Sequence, residues 1–410
     1  MRPGRPALRR WLESLEPTAQ RHIREAAASI AAAKNRGGKV TVVTGSGPNL
    51  HEGVTTLVAE LMRKGIVDGV ITSSAVVAHE MAGTLDRVKR LPFPGETPPG
   101  LRRELLPRGE VFEINVLSDS ERSELEREIG EGWELYGRLA AMPGECILKA
   151  AGNMAWPMGL RTERLAREAE RLARGRDTTV EHIAGLGADE RTMIGAGARL
   201  GIPVVVSTPQ LIGGGDAGLA IGDAIPISLR ARLVADLLAQ ADVIVESAIA
   251  LSQEIHDGPF ELYTGHGIWA AWQGLSTFSL HDRALVRIDL DRNLELAWRQ
   301  EREQAEVQKA VDQGLPKTKL TGIPFRMEMS GFARLEGSLP VTADIGAAWP
   351  CLAAELEQAL GIELDFISAP QESPEGQAMR EWIAEEIRYV DRERMVRAAG
   401  SRRDPKSSLQ

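Results

Sequence analysis

The side chains best suited to move protons or hold a cation stand at the ends of short apolar runs. His79-Glu80 follows the run Asp68–Thr72 and the small residues Ser73, Ser74 and Ala75. An imidazole there suits general acid–base work, and small hydroxyl residues suit ribose or amide groups of a ligand. Asp216 is the one charge in Gly213-Gly214-Gly215-Asp216-Ala217-Gly218. Glycines let a backbone approach a ligand closely, and the carboxylate suits an amine or a ribose. Glu246 ends the apolar run Ala241–Glu246, where a carboxylate is costly without a partner. His256-Asp257 are neighbours in sequence, so their side chains need not meet. Each of these has a plainer reading as a helix cap, a packed side chain or a solvated loop group.

A further loop, Thr44-Gly45-Ser46-Gly47-Pro48-Asn49-Leu50-His51-Glu52-Gly53, follows the run Lys39–Thr44. Backbone amides at Ser46, Gly47 and Asn49 could approach a phosphate there. The spacing departs from G-x-G-x-x-G, and a glycine turn needed only for geometry reads the same way. Other chemistries lack their patterns. The 7 histidines show no H-x-x-x-H or H-E-x-x-H, so no metal is expected. There is no G-x-x-x-x-G-K-[ST] phosphate loop and no G-x-S-x-G elbow.

These loops need a scaffold of alternating strands and helices. Lys39–Thr44, Asp68–Thr72, Ile202–Ser207, Ala241–Glu246, Leu285–Leu290 and Leu339–Ala343 read as buried strands. Helices are expected over Thr55–Lys64, from about Ser120 to Met142, and over Glu163–Arg174, Asp189–Leu200 and Ser228–Gln240. A closing helix is expected from about Pro374 to Ala399, with Ser373 as its cap. Thr18 is the expected cap of a helix through Ala26–Ala33, and Ser73–His79 reads as a loop. The fold class that follows is α/β, a doubly wound, mostly parallel sheet with helices on both faces. Residues 1–36 read as a helical lead-in and 37–365 as the α/β domain with an excursion near 87–157. Residues 366–410 read as a C-terminal helix with a basic tail.

Composition bounds the function. With 410 residues, 43% hydrophobic and 26% charged, the chain can bury a sizeable core. A net charge of −9 argues against nucleic acid as a partner. The 2 cysteines exclude a disulfide framework and fit a reducing, cytoplasmic compartment. No apolar run is long enough to span a membrane.

Val42–Ala82 resembles the opening of the NAD-dependent ornithine cyclodeaminase group once labelled bifunctional LOR/SDH proteins. The shared features are a glycine turn, a helix, a strand, and a small-residue loop ending in His79-Glu80. Gly201–Gly218, Ala241–Glu246 and Val341–Gly346 recur in the same order. The order also resembles deoxyhypusine synthase, whose asparagine-leucine turn matches Asn49-Leu50 and whose alanine-aspartate pair matches Ala343-Asp344. That family's lysine has no counterpart in Ser330-Gly331-Phe332-Ala333, and Glu254–Trp272 is unmatched in the cyclodeaminase group.

The resemblance implies a deoxyhypusine synthase-like, Rossmann-like fold with NAD as cofactor. It places NAD against Gly45–Asn49, Ser73–Ala75, Gly213–Gly215 and Asp344. It implies hydride abstraction from an amine or amino acid to give an imine, in a cyclodeaminase-like or aminoalkyl-transfer reaction. Glu80, Asp216, Glu246 and Asp257 would hold the amine, and His79 and His256 would carry its proton. It further implies a homo-oligomer, a tetramer among the options. Two other readings stay open: the same fold acting on a different small molecule, and a non-catalytic NAD-binding scaffold.

Overall fold

The computed structural model describes residues 1–248 except 46, 94, 107–109 and 153. Beyond these it describes 272, 274, 280, 282–290, 292, 296, 299–300, 303–314 and 337–401. Ser46, His256, Asp257, Ser330–Ala333 and nearly all of Glu254–Trp272 lie outside the described residues.

Two helices lead in, α1 (Arg5–Ser14) and α2 (Pro17–Asn35). Pro17 opens α2 with Glu16 at the N-cap, so the helix starts one residue before the cap expected at Thr18. Proline suits that first position because its missing N–H would have had no intrahelical partner. Ala19, Ile23, Ala26, Ala27 and Ile30 make the buried stripe of α2.

The chain then runs β1 (Val40–Thr44), α3 (Gly47–His51), α4 (Val54–Arg63), β2 (Gly69–Thr72) and α5 (Ser74–Met81). Here the expected exit loop is a helix instead. The Ser73 hydroxyl accepts the Val76 amide and caps α5, which puts Ala75, His79 and Glu80 on helical backbone.

The next stretch builds a separate antiparallel sheet from β3 (Asp86–Pro92), β4 (Val111–Asn115) and β5 (Glu145–Lys149), in the order β4-β3-β5. Two helices sit between β4 and β5, α6 (Asp119–Ile129) and α7 (Trp133–Ala141). The single helix expected over about 120–142 is therefore broken. Gly130 (φ 82°) and Gly132 (φ 87°) take left-handed backbone that ends one helix and starts the other. Ser118 and Glu121 form a reciprocal capping box at the start of α6.

From there the chain runs α8 (Met158–Arg174), α9 (Val180–Gly187), α10 (Met193–Leu200), β6 (Val204–Val206), α11 (Asp216–Ala224), α12 (Ile227–Gln240), β7 (Val243–Ser247) and β8 (Ala284–Asp289). It ends with α13 (Ala305–Asp312), β9 (Ser338–Thr342), α14 (Ile345–Leu360), α15 (Pro374–Glu386) and α16 (Arg392–Ser401). The expected closing helix is thus two. Between them, the Val390 amide donates to Met81 O, the Asp391 amide donates to Gly187 O, and Val390 O accepts from Arg161. Those non-helical partners satisfy the backbone that a continuous helix would have paired within itself.

The main sheet is α/β, doubly wound and wholly parallel, in the order β6-β2-β1-β7-β8-β9. Val40, Val42, Val70, Val243, Val245 and Val286 face the large core beneath α2, α4 and α14. Val43, Ile71, Val205, Ile244 and Leu285 face Val234 and Leu238 of α12. Burial on both faces is why these strands read as unbroken apolar runs. No helix among the described residues is long and apolar enough to cross a membrane.

Candidate functional site

Counted along the chain within the sheet, the six strands lie in the order 3-2-1-4-5-6, the arrangement of dinucleotide-binding folds. The order reverses between β1 and β7. Connections from the two strands leave in opposite directions there and open a crevice beyond their carboxyl ends.

A buried polar chain closes the floor of that crevice. Asn49 Nδ2 donates to Gly45 O at 2.7 Å, and Ser247 Oγ donates to Asn49 Oδ1 at 2.5 Å. Trp349 Nε1 of α14 donates to Ser247 Oγ at 3.0 Å. Asn49, Ser247 and Trp349 are all buried. This chain ties the β1 exit, the β7 end and α14 together. Ala248, the next residue, holds left-handed backbone at φ 64°. A non-glycine residue held there costs about 1–3 kcal/mol and turns the chain sharply at the crevice.

Hydroxyls line the neighbouring strand ends. Thr44 Oγ1 and Thr72 Oγ1 lie 3.0 Å apart, and Ser207, just past β6, has a buried Oγ without a hydrogen-bond partner. The two glycine loops differ. A Cβ at Gly47 would meet nothing within 4 Å, so the β1 loop is open there. A Cβ at Gly214 would sit 2.8 Å from Ser74 O, and one at Gly218 would sit 2.6 Å from Leu211 O. The second loop thus packs on the start of α5, where Ser74 Oγ donates to Gln210 O at 2.8 Å. Gly213, Gly214, Ser73, Ser74 and Ala75 are brought together, and the two serine hydroxyls bond within the chain.

Of the expected acids, Glu80, Asp216 and Glu246 each have partners within the chain, and Asp257 lies outside the described residues. Glu80 accepts the amides of Met193 (2.8 Å) and Ile194 (3.0 Å) at the start of α10. Burial pushes its pKa up to about 7 against the pull of those two amides. Asp216 receives Arg167 Nε at 2.8 Å and Nη2 at 2.5 Å, and that guanidinium holds its carboxyl below the usual range. Glu246, fully buried, faces Arg287 at 3.6 Å across the β7–β8 pair. Asp344, expected at the cofactor, stands beside the crevice and caps α14 through the Gly346 amide at 2.8 Å.

Reading the sequence missed Glu52, which shares that place. Its Oε2 accepts the Gln371 amide at 2.8 Å, and it lies so close to Gly346 that any side chain there would collide with it. Burial pushes the Glu52 pKa to about 7, with Asp344 and Glu372 adding repulsion against the Gln371 amide. Asp344 is also raised, by burial first. Glu52 sits in the quoted loop after β1, but the signal that marks it is its carboxylate neighbour Asp344, almost 300 residues away. Among the described residues no group of three or more His, Cys, Asp or Glu is placed to hold a metal ion.

No family model matches the chain, and no curated protein matches it. Similar solved structures include the apo form of ArgZ, an arginine dihydrolase from the ornithine-ammonia cycle in cyanobacteria (12% identity, 84% of this chain and 32% of that one, TM-score 0.39). A ternary complex of AgrE with ornithine and NAD+ is another (15% identity, 85% and 34%, TM-score 0.41). A third is a conserved protein labelled LOR/SDH from Methanococcus maripaludis S2 (11% identity, 82% and 67%, TM-score 0.40). The chain spans about a third of the length of the first two. At these identities and TM-scores the likeness says nothing of activity, and the fold assignment rests on the strand order.

Proposed function

We propose that this chain is an enzyme that binds NAD in the crevice between β1 and β7 and removes a hydride from an amine or amino acid. The observation that carries the reading is the reversal of strand order at that crevice. The residues present fit a dinucleotide: the open backbone side of Gly47 leaves room for a phosphate, and the orphaned Ser207 hydroxyl lacks an acceptor or donor. Ser46, Gly47 and Asn49 would hold the cofactor from the β1 side and Asp344 from the α14 side. Ser73, Ser74, Ala75, Gly213 and Gly214 would form the wall beyond β2.

Bound NAD supplies a hydride acceptor for the carbon that bears the amine. The chain supplies the rest. Glu52, with a pKa near 7, is matched to taking and returning that amine's proton at neutral pH. The proposed proton carrier His79 lies in α5, after β2, while Glu80, Asp216 and Glu246 serve by holding α10, α8 and β8 in place. His256 and Asp257 keep their proposed roles as proton carrier and amine acid.

The test is to denature the purified protein and look for released nicotinamide dinucleotide by mass spectrometry, then screen amines and amino acids by NADH absorbance. The reading expects bound or bindable NAD and a substrate with an amine on a hydride-bearing carbon. A preparation that releases none, and whose melting temperature added NAD leaves unchanged, contradicts it.

A further inference from the structure

Four basic side chains converge where the antiparallel sheet meets the parallel one. His51 ends α3, His79 lies in α5, Lys149 ends β5 and Arg380 lies in α15; all four are half-buried. Arg380 Nη2 donates to Leu148 O at 2.5 Å and lies 3.4 Å from His51 Nδ1. Its buried Nε has no partner. His51 Nε2 lies 3.4 Å from the Ala150 amide, a long contact. His79 Nδ1 is buried without a partner and sits against Gly152, whose φ of 53° and lack of a side chain make room for the ring.

The acids nearby are already engaged. Glu113 takes Lys149 at 2.9 Å. Asp86 takes the Asn115 side chain at 3.0 Å and the Ala151 and Gly152 amides at 3.2 Å. Among the described residues no carboxylate pairs with Arg380. A half-buried guanidinium whose only partners are a carbonyl and an imidazole keeps an uncompensated charge in a poorly solvated place. A guanidinium fork matches a carboxylate or phosphate, and neutral imidazoles can donate to the same oxygens.

We propose that Arg380, His51 and His79 form an oxyanion-binding site that takes the carboxylate or phosphate of a small-molecule ligand. Lys149 adds positive potential from the β5 side. Its two histidines lie in the helices that follow β1 and β2, and His51 shares α3 with Asn49 of the Asn49–Ser247 tie. Its oxyanion is either the carboxylate of an amino-acid substrate or a phosphate of the dinucleotide. The site does not depend on the NAD reading, because its geometry asks only for an anion.

The test uses inorganic phosphate as the probe, with sodium chloride at equal ionic strength as the control. Phosphate is expected to raise the melting temperature of the full chain beyond chloride. Its affinity should fall about tenfold or more in Arg380→Gln, the loss of one charge-assisted hydrogen bond. His51→Gln should fall in the same direction, and it carries the test if Arg380→Gln does not fold. Phosphate that competes with NAD assigns the site to the cofactor, and phosphate displaced by free amino acids assigns it to the substrate. Phosphate binding without any NAD binding leaves this site standing and removes the NAD reading. Equal responses to phosphate and chloride, or a folded variant that binds phosphate as tightly as the parent, overturn the proposal.

Discussion

His79 combines a buried ring nitrogen with a pKa held down to about 4, by burial first and then by His51 and Lys149. The unfolded chain takes a proton on this ring near its ordinary 6.5, and the folded chain does not until about 4. The stability owed to neutral His79 is therefore full above 6.5 and is lost as pH falls toward 4. Glu52, Glu80 and Asp86 work the other way. Each is raised to about 7, so each loses stability as pH climbs from its ordinary carboxylate range toward 7. Replacing His79 isolates its share. Melting of His79→Gln at pH 7.5 and pH 5 should show a smaller loss on acidification than the parent, and an equal loss would contradict the assignment. At this scale the sequence was legible in type and opaque in partner. Glu80 is marked by the family resemblance, whereas that Asp216 is the lone charge among glycines and that Glu246 ends an apolar strand could be read directly. That their partners are the α10 amides, Arg167 and Arg287 could not, because those lie 41 or more residues away along the chain.

At the scale of elements, the edge of the parallel sheet is closed by an ion pair. Arg230 of α12 and Glu181 of α9 meet at 2.6 Å with both side chains fully buried. Glu181 accepts the Val206 amide at 2.9 Å, and Arg230 donates to Val206 O at 3.2 Å and Ile221 O at 2.8 Å. The pair takes up the outward amide and carbonyl of Val206, hydrogen bonds that a next strand would otherwise have made to the end of β6. Arg230→Met leaves Glu181 buried and unpaired. Chemical denaturation should show a loss of about 3–5 kcal/mol, partly recovered when Glu181 is also made apolar. Gly214→Ala tests the second glycine loop. Its Cβ would meet Ser74 O, so it should destabilise by about 1–3 kcal/mol, whereas Gly47→Ala should be nearly neutral. The strands were legible because both their faces are buried. The helix breaks at Gly130–Gly132 and Ile387–Asp391 were not. The first lies in a charged helical pattern with no proline, and the second is set by backbone partners on α5 and α9.

For the molecule as a whole, alternation of strand and helix gives the fold class, but strand order requires knowing that β7 returns beside β1. Apolar periodicity carries no such information, because every strand of a doubly wound sheet is apolar on both faces. That return makes the β1–β7 crevice and brings Asn49 to Ser247 and Trp349. The most direct measurement is isothermal titration of NAD into the parent and into Gly47→Glu. That variant places a bulky negative charge at the open side of the β1 loop, where a Cβ meets nothing within 4 Å. The account predicts saturable binding to the parent and at least a tenfold loss in the variant, with its melting temperature unchanged without ligand. Failure of NAD to bind the parent, or equal affinity in both proteins, would contradict the placement of the cofactor between β1 and β7.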